Sequence, residues 1–120
     1  MTQTKTILVI DDDISTLEIL MLILQNAGYN VETATNHHHL EIFETNVYPD
    51  LIILDNNLGA KNGSDICAEI KSNSDTRHIP VILISAMDNI KDLAEGACAD
   101  DYIAKPFGIQ QILNVIEKVI

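Results

Sequence analysis

The sequence predicts an α/β domain in which a parallel sheet carries helices on both faces. Three observations carry that prediction. Ile7-Leu8-Val9-Ile10, Leu51-Ile52-Ile53-Leu54 and Val81-Ile82-Leu83-Ile84 are short apolar runs that lack alternation and end at polar residues. Strands buried on both faces read this way. The stretches between them place apolar residues at three-and-four spacing, as helices with one packed face do. Strand and helix patterns alternate five times, with no low-complexity tract, tandem repeat or internal linker.

After the first strand, Ile14, Leu17, Leu20, Leu24 and Ala27 form a helical stripe that Gly28 closes. Asp13 caps this helix, or Ser15-Thr16-Leu17-Glu18 does as a capping box. Val31 to Thr35 mixes apolar and polar residues and reads as an edge strand. Leu40, Phe43 and Val47 mark the second helix, with His37-His38-His39 as its polar start. Consecutive helix positions diverge by about 100°, so these three neighbours do not share a tetrahedral metal site. Ile66 and Ile70, with Cys67 packed among them, mark the third helix, and Ile90, Leu93, Ala94 and Ala97 the fourth. Tyr102-Ile103-Ala104 is a short second edge. Ile109, Ile112, Leu113, Ile116, Val119 and Ile120 make the clearest stripe, the fifth helix. Right-handed crossovers and two weak edges around three buried strands give a five-stranded parallel sheet of order 2-1-3-4-5, a (βα)5 flavodoxin-like fold.

With 120 residues the chain has room for one core, so residues 1–120 are read as a single domain. Apolar residues at 47% and charged residues at 21% exclude wholesale disorder. Seven basic residues against 18 acidic ones give a net charge of −11. Phosphate backbones and anionic lipid repel such a chain, so no direct nucleic-acid or membrane partner is expected. Divalent cations and basic protein surfaces suit it better. The longest apolar run, Ile19 to Leu24, falls far short of a membrane span, and Met1 to Lys5 lacks a signal-peptide layout. Cys67 and Cys98 stand far apart and read as reduced, packed thiols of a cytoplasmic protein.

In sheets of this order the site lies beyond the carboxyl ends of the strands. The first strand runs into Asp11-Asp12-Asp13, the third into Asp55, the fourth into Ser85 and the fifth into Lys105-Pro106. Carboxylates brought within about 4 Å repel by roughly 4 kcal/mol per pair at an effective dielectric near 20. A hard divalent cation relieves that conflict, and Mg²⁺ is the usual one where a phosphate completes the shell. A carboxylate beside Mg²⁺ and an ammonium can attack a phosphoryl group and form an acyl phosphate. Lys105 and the Ser85 hydroxyl are placed to stabilise the transferring oxygens.

At these residues the chain resembles the receiver domains of two-component response regulators. The matching segments are Ile7 to Asp13, Asp50 to Asp55, Ile84-Ser85-Ala86 and Asp100 to Phe107, so the likeness covers essentially the whole chain. It implies that Asp55 accepts phosphate from a phosphohistidine on a sensor histidine kinase or phosphotransfer protein. It implies further that Asp12 and Asp55 bind Mg²⁺ directly, that Asp11 acts mainly through water, and that the backbone carbonyl of Asn57 completes the protein ligands. Lys105 would pair with the phosphoryl oxygens. Ser85 would turn to bond the phosphate and Tyr102 would follow inward, reshaping the surface of the fourth helix, fifth strand and fifth helix. The Lys105-Pro106 bond would be cis. No catalysis beyond the domain's own phosphorylation and dephosphorylation is implied.

Three positions depart from the family pattern: Gly59 where proline is common, Cys98 where glycine is common, and Met87, which has no polar group to orient an attacking water. The last implies a long-lived phosphoryl group. Met21 and Leu22 lie off the first helical stripe, so one is expected to be exposed and to serve kinase docking. Asp11-Asp12-Asp13-Ile14-Ser15 also looks like the nucleophile motif of haloacid-dehalogenase-type phosphatases, with Asp11 as nucleophile, Asp13 as general acid, and Ser85, Lys105 and Asp100-Asp101 as later motifs. That alternative leaves Asp55 without a role. A flavin-binding module on the same topology lacks its hydroxyl-rich loop. No output module follows the fifth helix, so a stand-alone receiver and part of a longer regulator or hybrid kinase both remain open, as does a phosphorylation-linked dimer.

Overall fold

Side chains alternate across a strand, so a strand apolar at every position needs a core on each side. The structure, a computed structural model, describes residues 4–36, 48–59 and 61–120. In chain order its elements are β1 (Thr6–Ile10), α1 (Ile14–Asn26), β2 (Asn30–Ala34), β3 (Leu51–Asp55), β4 (Asn57–Leu58), β5 (Lys61–Asn62), α2 (Gly63–Ser72), β6 (Val81–Ser85), α3 (Ile90–Gly96), β7 (Asp101–Ala104) and α4 (Ile109–Val119). The five-stranded sheet runs β2-β1-β3-β6-β7 and every ladder in it is parallel. Counted by sheet strands alone, this is the expected 2-1-3-4-5 order. The second helix and the three histidines of the sequence reading lie outside the described residues.

The central strands divide their side chains between two cores. Ile7, Val9, Leu51, Ile53, Ile82 and Ile84 pack with Leu17, Leu20 and Leu24 of α1 and with Ile112 and Ile116 of α4. Leu8, Ile10, Ile52, Leu54, Val81 and Leu83 pack with Ile66, Cys67 and Ile70 of α2 and with Ile90 and Ala94 of α3. The edges β2 and β7 are only partly covered, as their mixed composition requires. Among the described residues no helix is long and apolar enough to cross a membrane.

Helix ends follow local chemistry. Asp13 is the cap of α1: its Oδ1 accepts from the Ser15 N–H at 3.0 Å and its Oδ2 from the Thr16 hydroxyl at 3.2 Å. Gly28 closes α1 at φ +97°, and Tyr29 N–H returns to the Leu24 carbonyl at 3.1 Å. The end of α3 repeats this arrangement with Cys98 in the glycine position, at φ +61°, and Ala99 N–H on the Ala94 carbonyl at 2.9 Å. Cys98 is therefore exposed, which corrects the packed-thiol reading; only Cys67 is buried. Ile14 and Ile109 are also exposed, at 63% and 62%, although both stood in packed stripes. Each is the first residue of its helix, where the chain turns over the rim of the sheet. Ala27, past the last turn of α1, is exposed too. Of the pair Met21 and Leu22, it is Leu22 that faces solvent, at 62%.

Candidate functional site

The parallel register brings the carboxyl ends of β1, β3 and β6 to one rim. Asp11 follows β1 directly, while Asp55 and Ser85 end β3 and β6. All three are buried, and they line a cavity of about 380 Å³ together with Asp12, Asn56, Asn57, Met87 and Lys105. Carboxylate oxygens of Asp11, Asp12 and Asp55 lie within 4.8 Å of one another. At that separation two ionised acids repel by about 3.5 kcal/mol at an effective dielectric of 20.

Lys105, which directly follows β7 and precedes Pro106 across a cis peptide, answers part of this charge. Its Nζ donates to Asp55 Oδ1 at 2.9 Å and to Asp11 Oδ2 at 3.2 Å. Burial alone would lower the lysine's pKa, but the bonds and charges of Asp55 and Asp11 outweigh it and hold the ammonium above its ordinary value. Asp11 stays raised above the usual carboxylate range, chiefly through burial and also through the Asp55 charge, despite its bond from the Asp13 N–H and the pull of Lys105. One lysine thus serves two buried acids, and a third acid stands beside them.

The other oxygens are held by backbone. Asp11 Oδ1 accepts from Asp13 N–H and Asp55 Oδ2 from Asn57 N–H, both at 2.9 Å. The donor set is oxygen only, anionic and clustered, which fits a hard divalent cation such as Mg²⁺. Behind it, Gly63 begins α2 so close to the acceptor strand that a Cβ there would run into the Asp55 carbonyl oxygen. Ser85 Oγ accepts from Met87 N–H at 3.0 Å. Tyr102 is not brought into the cavity; it sits half-buried on the edge strand β7, against the core under α2 and α3. Gly59 holds φ +75° at the first loop position of the β4-β5 hairpin, a conformation proline cannot adopt.

Asn56 and Gly63 were not singled out from sequence. A second polar residue straight after the apolar run Leu51-Ile52-Ile53-Leu54 and Asp55 was the available signal for Asn56, because an amide buried there must be satisfied indoors. Asp100 takes no part: its Oδ2 accepts from Val81 N–H at 2.8 Å and meets Lys71 Nζ at 2.7 Å, at the end of β6 opposite Ser85. With Asp13 capping α1 and Asp100 at the far end of β6, the general acid and the last motif of a dehalogenase-type phosphatase are engaged elsewhere, although Ser85 and Lys105 do reach the cavity, and that alternative is not favoured.

Comparison with known proteins agrees with this geometry. The chain is 34% identical over 109 residues to the DNA-binding dual master transcriptional regulator RpaA of Synechocystis, covering 89% of this chain and 45% of that protein. It therefore spans about half the length of the curated relatives it matches. Response regulator TrrA of Thermotoga maritima, solved in complex with Mg²⁺-BeF, superposes with a TM-score of 0.85 at 30% identity, covering 98% of this chain and 100% of that one. The signal receiver domain of a signal transduction histidine kinase from Syntrophus aciditrophicus gives 0.87 at 30% identity, covering 97% and 89%. A family model described as the response regulator receiver domain matches residues 7–117. Nearly the whole chain lies within that match, and it belongs to the receiver domain family of response regulators.

Proposed function

We propose that this chain is a single receiver domain over residues 1–120 in which Asp55 accepts a phosphoryl group from a phosphohistidine of a sensor histidine kinase or phosphotransfer protein. The observation that carries this reading is the Asp55 carboxylate, buried at the base of the acidic cavity with Lys105 at 2.9 Å. The donor set suits Mg²⁺, held by Asp12, Asp55 and the Asn57 carbonyl with Asp11 acting mainly through water. When bound it neutralises charge on the phosphoryl oxygens. A carboxylate oxygen of Asp55 attacks phosphorus, the P–O bond forms as the P–N bond breaks, and the imidazole departs. The Lys105 ammonium then pairs with the phosphoryl oxygens while the Ser85 hydroxyl turns to donate to them. Tyr102 follows inward and changes the α3, β7 and α4 surface, which an output domain, an effector or a second copy reads. Hydrolysis returns the carboxylate and releases phosphate, and this self-directed chemistry is the domain's only catalysis, carried out in the cytoplasm.

Incubation with Mg²⁺ and acetyl phosphate, followed by peptide mapping, tests the reading. Label is expected on Asp55, and Asp55→Asn is expected to abolish it. Label on Asp11 with steady release of phosphate would favour the phosphatase instead. Because Met87 offers no group to orient water and Asn57 could do so only in part, the labelled protein is expected to keep its phosphoryl group long after the donor is removed; rapid loss with Mg²⁺ and no phosphatase would contradict this.

A further inference from the structure

Asn56 follows the acceptor directly and is 5% exposed. Its N–H donates to the Ile84 carbonyl at 2.9 Å and its carbonyl accepts from Gly63 N–H at 2.8 Å. In the side chain, Oδ1 accepts from Ser64 N–H at 3.0 Å. That bond fixes the orientation of the amide, since a backbone N–H can only donate. The amide nitrogen is thereby turned toward Met87, where it donates to Sδ at 3.6 Å. Met87 is held a second time, because its own N–H donates to Ser85 Oγ at 3.0 Å.

We infer that Asn56 is a positioning residue that latches Met87, and through it holds the Ser85 hydroxyl in its resting orientation. This rests on the phosphoacceptor reading and says what restrains the switch. Ser85 Oγ can donate while it accepts from Met87 N–H, so the restraint acts on movement of the oxygen: in the proposed switch an Oγ that turns toward a phosphoryl group on Asp55 lengthens the Met87 bond or carries Met87 with it. The Met87 side chain is anchored to an amide that cannot follow, because its oxygen is tied to the first turn of α2 and its backbone to β6. A thioether is a weak acceptor, so the latch opens at a modest cost. It biases the switch without locking it.

The test titrates the full chain with beryllium fluoride in saturating Mg²⁺, following amide signals by NMR, and measures Mg²⁺ affinity alone beside it. Met87→Leu keeps the volume and removes the acceptor, and is expected to tighten beryllium fluoride binding by about twofold to fivefold, the scale of one modest hydrogen bond. Mg²⁺ affinity should stay as in the wild type. Met87→Gln restores an acceptor for the Asn56 amide and should return the affinity to the wild-type value or weaker. Identical binding by wild type and Met87→Leu, or equal effects of Leu and Gln, overturns the latch. A parallel change in Mg²⁺ affinity also overturns it, by assigning the effect to the acidic cluster. Wild-type protein that binds no beryllium fluoride refutes the phosphoacceptor reading itself, and the latch with it.

Discussion

Two buried acids sharing one lysine is a costly arrangement in the absence of a cation, and Asp11 bears the cost most plainly. Replacing it with asparagine keeps the shape and removes the charge. Asp11→Asn is expected to stabilise the metal-free protein by about 1–2 kcal/mol, or about 4–8 °C in Tm at this chain length. The rise in Tm that Mg²⁺ gives the wild type should shrink in the same variant; calorimetry with and without Mg²⁺ checks both. Cys67 carries a different titration. Burial pushes its thiol up from 9.0 to about 11. The unfolded chain therefore loses this proton first as pH rises, so folding stability falls between pH 9 and 11 and is unaffected below that window. Two units correspond to up to about 2.7 kcal/mol. Unfolding of wild type and Cys67→Ala at pH 8 and pH 10.5 should show the wild type's advantage shrinking at the higher pH.

Helix ends and loop starts are where elements were least legible in the sequence. Strand positions and order followed from composition, because Ile7 to Ile10, Leu51 to Leu54 and Val81 to Ile84 have no polar face to offer solvent. The convergence of Asp11, Asp12, Asp55 and Lys105 followed from where those strands stop. Gly28 announced a left-handed helix end, but Cys98 hid an equivalent one, since a cysteine in isolation says nothing of backbone conformation. Ile14 and Ile109 satisfied the helical period yet overhang the rim, which periodicity cannot register. Asn56 was harder to read for a related reason: most of its partners are backbone groups distant in sequence, at Ile84, Gly63 and Ser64. These ends yield two predictions. Cys98→Gly should relieve the left-handed strain at φ +61° and stabilise the protein by about 1 kcal/mol. Gly63→Ala should cost about 2 kcal/mol, because its Cβ meets backbone that cannot yield, and should impair phosphorylation by acetyl phosphate as the acceptor shifts. Denaturant titration and labelling rates measure the two effects.

At the scale of the whole molecule, the acidic cavity is distinct from an apolar groove between α1 and α4. Ile19, Leu22 and Ile23 of α1 and Phe107, Ile109 and Leu113 beside and on α4 line a groove of about 470 Å³ that contains no ionisable side chain. A kinase helix seated there would lie beside the rim that carries Asp55. Changing Ile19 and Leu22 to serine is expected to slow phosphorylation by the kinase about tenfold, a typical loss for anchor residues, and to leave labelling by acetyl phosphate unchanged. Equal slowing with both donors would place the effect in the fold rather than in docking.

The division of every central strand between two interiors has an evolutionary consequence. Strand positions inside the two cores and the loop tips hold the acidic cavity together, whereas outward positions of α1 such as Ile19 and Leu22 belong to neither interior. Substitutions at such outward positions can accumulate without disturbing the geometry of the cavity, so a docking surface there could change while the acceptor site was kept.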